Sequence, residues 1–275
     1  MNYNFPKTGI YKYVARYLHS RDDLAGKKAL DCPAGDGRTS YLLNKKGASV
    51  VSGDLFPEFF KLNDLKCEEV DISNGLPFPD ETFDFAVCQE GIEHFPNQLF
   101  VLQEFARVLK RNGELLITAP SISHLRAKLS HVFVESEYYK RSAPSELDGV
   151  WFSKKNANQL YFGHVFLINI QKLRTLSVFS GFEISRVFRT EIGITSILLF
   201  PIFYPFVVLL NLAPFIFYSK KLKHIPKSQR KRVMWEQFFL NLSFHTLTSK
   251  YTMILFKKTR NSAETIEHLK QLTRS

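Results

Sequence analysis

Leu30-Asp31-Cys32-Pro33-Ala34-Gly35-Asp36-Gly37-Arg38-Thr39-Ser40 joins an apolar run to a helical one through a Gly-x-Gly bend. An acidic residue closes the first run. The bend leads into residues 39–46, whose helical pattern is stopped by Gly47. Glycine lets the backbone turn tightly and approach a ligand with no Cβ in the way. The helix that follows presents free N–H groups at its first turn. Strand, glycine bend and helix in this order suit a nucleotide-like ligand at the carboxyl edge of a parallel sheet. A nicotinamide fingerprint would want a third glycine where this chain has Ser40.

Outward from the bend, apolar runs and helical patterns alternate as far as Pro120. Residues 27–32, 49–54, 67–71, 83–88 and 114–119 read as strands. Residues 98–111 read as a helix capped by Asn112-Gly113. Such alternation predicts a doubly wound parallel α/β sheet. Residues 121–163 show no clean period. A helix is expected over 169–180, a strand over 182–189, a last strand over 251–257 and a short exposed helix after Thr259.

Carboxylates recur where the strands end. Val50-Val51-Ser52-Gly53-Asp54 puts one at the end of the second strand, where it can accept hydrogen bonds from both hydroxyls of a ribose. Val70-Asp71-Ile72 puts another after the third, where an adenine amino group would need an acceptor; Asp71-Ile72-Ser73-Asn74-Gly75 is also good turn chemistry. Then come Leu76-Pro77-Phe78-Pro79-Asp80 with Phe83 to Cys88, Gln89-Glu90-Gly91-Ile92-Glu93-His94-Phe95, and Arg107-Val108-Leu109-Lys110-Arg111-Asn112-Gly113.

This ordered series resembles the class I S-adenosylmethionine (SAM)-dependent methyltransferases, in the methyltransferase type 11 branch that methylates quinones, sterols and sugars. The resemblance covers residues 27–120 and resumes weakly from Gly163-His164 to Phe182. It implies a Rossmann-like seven-stranded sheet with an antiparallel last strand. It implies SAM as cofactor, with Asp31 on the methionine ammonium group and Gly35 and Gly37 along the methionine and ribose. It further implies Asp54 on the ribose, Asp71 and Ile72 at the adenine, Gln89 beside the methionine moiety, and Ala34, Asp36 and Leu55 next to them. The chain departs from the family at Pro33, where glycine is usual, and at Ala34, where cysteine is frequent.

Methyl transfer from a sulfonium needs alignment and water exclusion first, and a base only when the acceptor is a hydroxyl or a similar weak acid. His94, just past the fourth strand, is the candidate base and His164 a second one; Glu93-His94-Phe95 also reads as a helix start or pocket wall. No Asn/Asp-Pro-Pro-aromatic grip for an exocyclic nitrogen and no Pro-Cys or Thr-Cys nucleophile pair occurs. No His/Cys spacing marks a metal site, so none is expected.

The chain has 275 residues, 26 of them Phe, and a net charge of +11, much of it between 220 and 232, where seven basic residues stand without an acid. Residues 192–219 carry no charge at all and exceed the ~20 residues of a bilayer crossing. Both flanking strands belong to one sheet, so a single crossing would strand the last of them. Pro201, Pro205 and Pro214 are expected to break the run into pieces. The expectation is therefore an apolar helical insertion between strands six and seven, a broken, re-entrant or interface-lying pair of helices at a membrane with the basic run on anionic headgroups. A buried lid or dimer contact is the alternative.

The organisation expected is a methyltransferase domain of residues 1–190 with 248–258, an insertion of 191–247 and a tail of 259–275. Three cysteines without a CxxC pair exclude a full disulfide framework, and residues 1–20 lack an apolar signal core, which fits a cytoplasmic domain. The expected function is O-methylation of a lipid-linked glycan, a glycolipid or a quinone-like acceptor. RNA methylation is the first alternative, disfavoured because the basic run lacks interleaved aromatics for base stacking. A non-catalytic SAM-binding membrane adaptor is the second, and a nicotinamide oxidoreductase a distant third.

Overall fold

β-branched and aromatic runs bounded by glycine and polar turns become the strands of one mixed sheet. The computed structural model describes residues 8–136, 143–152, 160–218 and 222–273. The elements are α1 (Gly9–His19), β1 (Lys28–Asp31), α2 (Arg38–Lys45), β2 (Ser49–Asp54), β3 (Cys67–Glu69), β4 (Phe83–Gln89), α3 (Gln98–Val108) and β5 (Leu109–Pro120). Then follow α4 (Leu125–Val134), a small hairpin of β6 (Val150–Phe152) and β7 (Leu160–Phe162), α5 (Ile170–Phe179) and β8 (Phe182–Val187). The chain ends with α6 (Ile194–Ile216), α7 (Lys227–Leu242), α8 (Phe244–Thr248), β9 (Tyr251–Lys258) and α9 (Ser262–Thr273).

The seven-stranded sheet has the order β3-β2-β1-β4-β5-β9-β8. β1 to β5 are parallel, and β9 runs antiparallel to both β5 and β8. This is the expected Rossmann-like α/β sheet with its antiparallel last strand. Both faces are covered because side chains alternate along each strand. Leu30, Ala86, Leu115, Ile117 and Phe256 pack on one face with α3 and α5 residues, Phe105 and Leu173 among them. Ala29, Phe85, Val87, Leu116 and Leu255 pack on the other with Val14, Leu18 and Leu43 of α1 and α2. Each fully buried side chain of this size stabilises the fold by roughly 1.5–3 kcal/mol.

Several boundaries differ from the sequence reading. α3 stops at Val108, three residues short of Arg111, because Leu109 is buried and pairs with Phe83 at the start of β5. Asn112 keeps a left-handed φ of 64°, but within β5 and not as a helix cap. β3 ends at Glu69, and Asp71 caps the 3-10 turn Ile72–Asn74 by accepting from Ser73 N at 2.9 Å. α1, α4 and the hairpin lie where no period was read.

The insertion departs most. The prolines do not break it: Ile194–Ile216 is one continuous helix with Pro201, Pro205 and Pro214 inside it. All three rings sit at exposed positions, so each removes one N–H bond without colliding with a packed neighbour. The other side of α6 packs on α4, α7 and α8. Its outer side leaves Ile194, Leu198, Ile202, Phe206, Leu209 and Leu210 exposed. Among the described residues it is the one helix long and apolar enough to cross a membrane. β8 is parallel to β5, so α6 springs from the carboxyl edge of the sheet. Ser219, Lys220 and Lys221 of the run read from sequence lie outside the described residues.

Candidate cofactor and acceptor site

The carboxyl ends of β1, β2 and β4, with the turn after β3, surround a cavity of about 450 Å³. Asp54 ends β2 at its rim. Its Oδ2 accepts from Gly35 N at 2.7 Å and its Oδ1 from Phe56 N at 2.8 Å. The glycine bend and the β2 loop are thereby tied to one carboxylate whose remaining lone pairs can meet a pair of vicinal hydroxyls. Ala34, Gly35, Leu55, Asp71, Ile72 and Gln89 line the same cavity, as does His94.

The glycines are used in different ways. Gly37 has φ +90°, and a Cβ there would stand 2.9 Å from the Phe60 ring and 3.0 Å from Leu62. Gly35 has φ +52° with nothing within 4 Å of an added Cβ, so a side chain there would occupy cavity space that a ligand needs. The proline that replaces the family's first glycine has its counterpart in Gly91. A Cβ at position 91 would stand 2.6 Å from the Pro33 ring, so the space Pro33 takes is space Gly91 leaves.

Two of the buried polar atoms that lack a partner belong to Gln89 and Asp31. Gln89 Oε1 accepts from the Thr39 hydroxyl at 2.8 Å, which fixes the amide and leaves Nε2 as an unpaired donor. Asp31 is fully buried; its Oδ2 accepts from the Ser40 hydroxyl at 2.6 Å, and its Oδ1 has no partner. Of these, Gln89 Nε2 faces the cavity, and an unpaired amide donor there together with the Asp54 carboxylate fits a ligand that carries a carboxylate and vicinal hydroxyls, as SAM does. Asp31 does not itself line the cavity, whereas Cys32 and Pro33 after it do, so its Oδ1 is not presented to a ligand there. Asp36 and Gly37 are also outside the lining; Asp36 pairs with Arg38 at 2.9 Å and holds the bend from behind.

Burial pushes the Asp31 carboxyl up to about 7, against the lowering effect of the Ser40 hydrogen bond. An unfolded chain releases this proton near pH 4, so between about pH 4 and 7 the folded state binds more protons and loses stability as pH rises. Burial pushes Glu90 and Glu93 the same way, to about 7 and about 8. The expected result is that Asp31→Asn flattens, without abolishing, the decline in denaturant midpoint from pH 5 to pH 8. An unchanged slope in the variant contradicts a proton held on Asp31.

Residues that the sequence reading did not single out complete the cavity. Tyr11 reaches it from α1, and Thr39 and Glu90 from beside the predicted positions. Phe56 and Tyr161 meet edge to face at 5.2 Å, joining the β2 loop to the hairpin. The aromatic pair Tyr161-Phe162 was visible in the sequence, but no local pattern says that it folds back over the bend.

His94 Nδ1 lies 2.8 Å from the Phe162 carbonyl oxygen. A carbonyl only accepts, so Nδ1 carries the proton and Nε2 is left as a base. His164 does not line the cavity, yet its ring lies 5.0 Å from that of His94. Glu93 is fully buried next to them, with neither carboxylate oxygen hydrogen-bonded. Glu93, His94 and His164 present donor atoms within 4.8 Å of one another, close enough for one divalent cation. Sequence spacing gave no sign of this set because His164 joins it from a distant loop.

Residues 30–117 match the family Methyltransf_11, described as a methyltransferase domain. The ubiquinone biosynthesis O-methyltransferase of Xanthomonas oryzae pv. oryzae is 30% identical over 137 residues, which are 46% of this chain and 56% of the relative. The methyltransferase YcgJ of Bacillus subtilis, itself uncharacterized, is 27% identical over 152 residues, 50% of this chain and 58% of that one. The chain thus spans little more than half the length of these curated relatives. A solved structure from Listeria monocytogenes, assigned as an S-adenosylmethionine dependent methyltransferase, shares the fold. It has a TM-score of 0.51 at 12% identity and covers 90% of this chain and 98% of that one.

Proposed function

From a chain that carries a class I S-adenosylmethionine-dependent methyltransferase domain, we propose O-methylation of a lipid-linked glycan, a glycolipid or a quinone-like acceptor at a membrane surface. The cofactor-binding residues in this reading are Asp54 on the ribose hydroxyls and Gln89 Nε2 on the methionine carboxylate, while Asp31, buried outside the lining, positions the methionine end through Ser40 at the head of α2. Asp71 and Ile72 border the adenine. When bound, SAM supplies an electrophilic methyl group on a sulfonium, and displacement there is in line. His94 Nε2 would take the acceptor's hydroxyl proton. Phe162 holds the ring in the tautomer this requires. The observation that carries the assignment to oxygen is this hydrogen bond, which leaves a base at the cofactor cavity.

Support for a membrane-borne acceptor comes from α6. Its exposed face is a row of isoleucine, leucine and phenylalanine starting at the sheet edge that holds the cofactor cavity. Trp235 and Phe239 of α7 are exposed too, with Lys227, Lys231 and Arg232 on the same helix. Apolar side chains flanked by basic ones suit the boundary of an anionic bilayer, where each basic residue contributes ~1 kcal/mol. β8 and β9 on either side of the insertion pair in one sheet, which supports α6 resting on a bilayer over its passing through one.

Comparing lipid extracts of cells with and without the gene by mass spectrometry tests the substrate. The expected result is an acceptor lighter by one methylene mass when the gene is absent. His94→Ala is expected to lower turnover on that acceptor by roughly 100-fold to 10,000-fold, the usual range for a general base, with SAM affinity unchanged. Full turnover in the variant assigns proton removal to another group.

A further inference from the structure

A second cavity, of about 550 Å³, lies between α4, the start of α5 and α7. It shares no lining residue with the cofactor cavity. Ser123, which follows the carboxyl end of β5, and Asn169, which caps α5, place it at the same edge of the sheet. Lys128 and His131 line it on α4, and no acidic residue does so among the described residues.

Lys128 has no ion pair among the described residues, and burial lowers its pKa with no carboxylate to raise it back. A half-buried ammonium group in a cavity without a counter-charge is costly unless something anionic meets it. His131 Nε2 is shielded from solvent and has no partner. The first turn of α5 adds the positive end of a helix dipole. Ser123 Oγ already accepts from Ile170 N at 3.0 Å and so keeps its own hydroxyl proton to donate.

The other wall leads to the apolar helix. Gln171 Nε2 donates to Gln237 O and to Asn241 Oδ1, both at 2.9 Å, and its Oε1 remains an acceptor for a neighbouring hydroxyl. Asn241 Nδ2 donates to Asn211 Oδ1 at 2.7 Å, and Asn211 is the only side-chain amide of α6. A polar ladder thus connects a cationic cavity to the inner side of a helix whose outer side is apolar. An anionic group on a long apolar tail matches both features at once.

We propose that the cavity between α4, α5 and α7 binds a phosphate group, that of the membrane-borne acceptor, through Lys128, His131 and Ser123. This rests on the reading of α6 as a membrane-surface helix and narrows the acceptor to a phosphate-bearing lipid. The phosphate is a handle that is not consumed, and the methylated oxygen lies elsewhere on the molecule, toward His94.

Calorimetric titration of the full chain with farnesyl phosphate, farnesol and inorganic phosphate tests this. Wild type is expected to bind farnesyl phosphate at least tenfold tighter than farnesol. Lys128→Met is expected to remove that preference, with SAM affinity unchanged as the sign that the variant is folded; His131→Asn provides the same comparison should Lys128→Met not fold. Inorganic phosphate that displaces farnesyl phosphate from wild type, and has no effect on Lys128→Met, supports the subsite and makes free phosphate a second source. Equal binding of farnesyl phosphate and farnesol by wild type, or undiminished preference in both variants, overturns the proposal. That failure with SAM binding intact leaves the methyltransferase reading standing. Failure of SAM binding with phosphate preference intact overturns the methyltransferase reading alone.

Discussion

Asp54→Ala should weaken SAM binding by at least about 100-fold. Asp54 accepts from Gly35 N and Phe56 N, and in this account also from two ribose hydroxyls. Hydrogen bonds to a charged group are each worth about 1.5–3 kcal/mol, so losing the two ribose bonds alone accounts for a hundredfold. The substitution also releases two backbone N–H groups that hold the bend, which adds to the loss. Asp54→Asn should fall between the two, because its amide nitrogen would face a backbone donor on one side while one acceptor remains. Titration of each variant checks the order. A decrease of less than about threefold for Asp54→Ala, against the ~3 kcal/mol expected of two charged bonds, removes Asp54 from the ribose site.

Replacing Leu198, Ile202 and Leu209 together by glutamate should release the protein from anionic vesicles. These side chains are 67%, 61% and 66% exposed on one side of α6. Burying each against lipid contributes up to about 1.5–3 kcal/mol, so losing three lowers partitioning by a factor on the order of 1,000 even before charge repulsion is counted. The fold should be unaffected, because the same positions touch little of the protein. Vesicle flotation with SAM affinity as a control measures this. Binding that survives the triple substitution and disappears in high salt would mean that the basic residues of α7 act alone.

What the sequence made legible is local in the chain. Leu30 to Ser40 announced strand, bend and helix because Asp31, Gly35 and Gly37 sit within one turn of each other. Asp54 was legible because a β-branched run ends on it. Alternation alone announced a doubly wound α/β sheet; its seven strands and antiparallel last strand came from the family resemblance. What stayed hidden depends on distant segments meeting. Tyr11 comes from a helix before the first strand, and Tyr161 from a hairpin in a segment without a period. His164 reaches Glu93 and His94 through the same loop. Proline chemistry misled at α6, where all three rings fall at exposed positions and the helix runs through them. Asp71 shows both readings at once: it caps a turn through Ser73 N and Asn74 Nδ2, and it still lines the cavity.

Isothermal titration of the full chain with S-adenosylmethionine is the most direct measurement of the central claim. The account predicts saturable binding at one site, with a rise in unfolding temperature that grows with ligand concentration. Absence of both heat and thermal stabilisation at ligand concentrations far above those that saturate an ordinary cofactor site would contradict it.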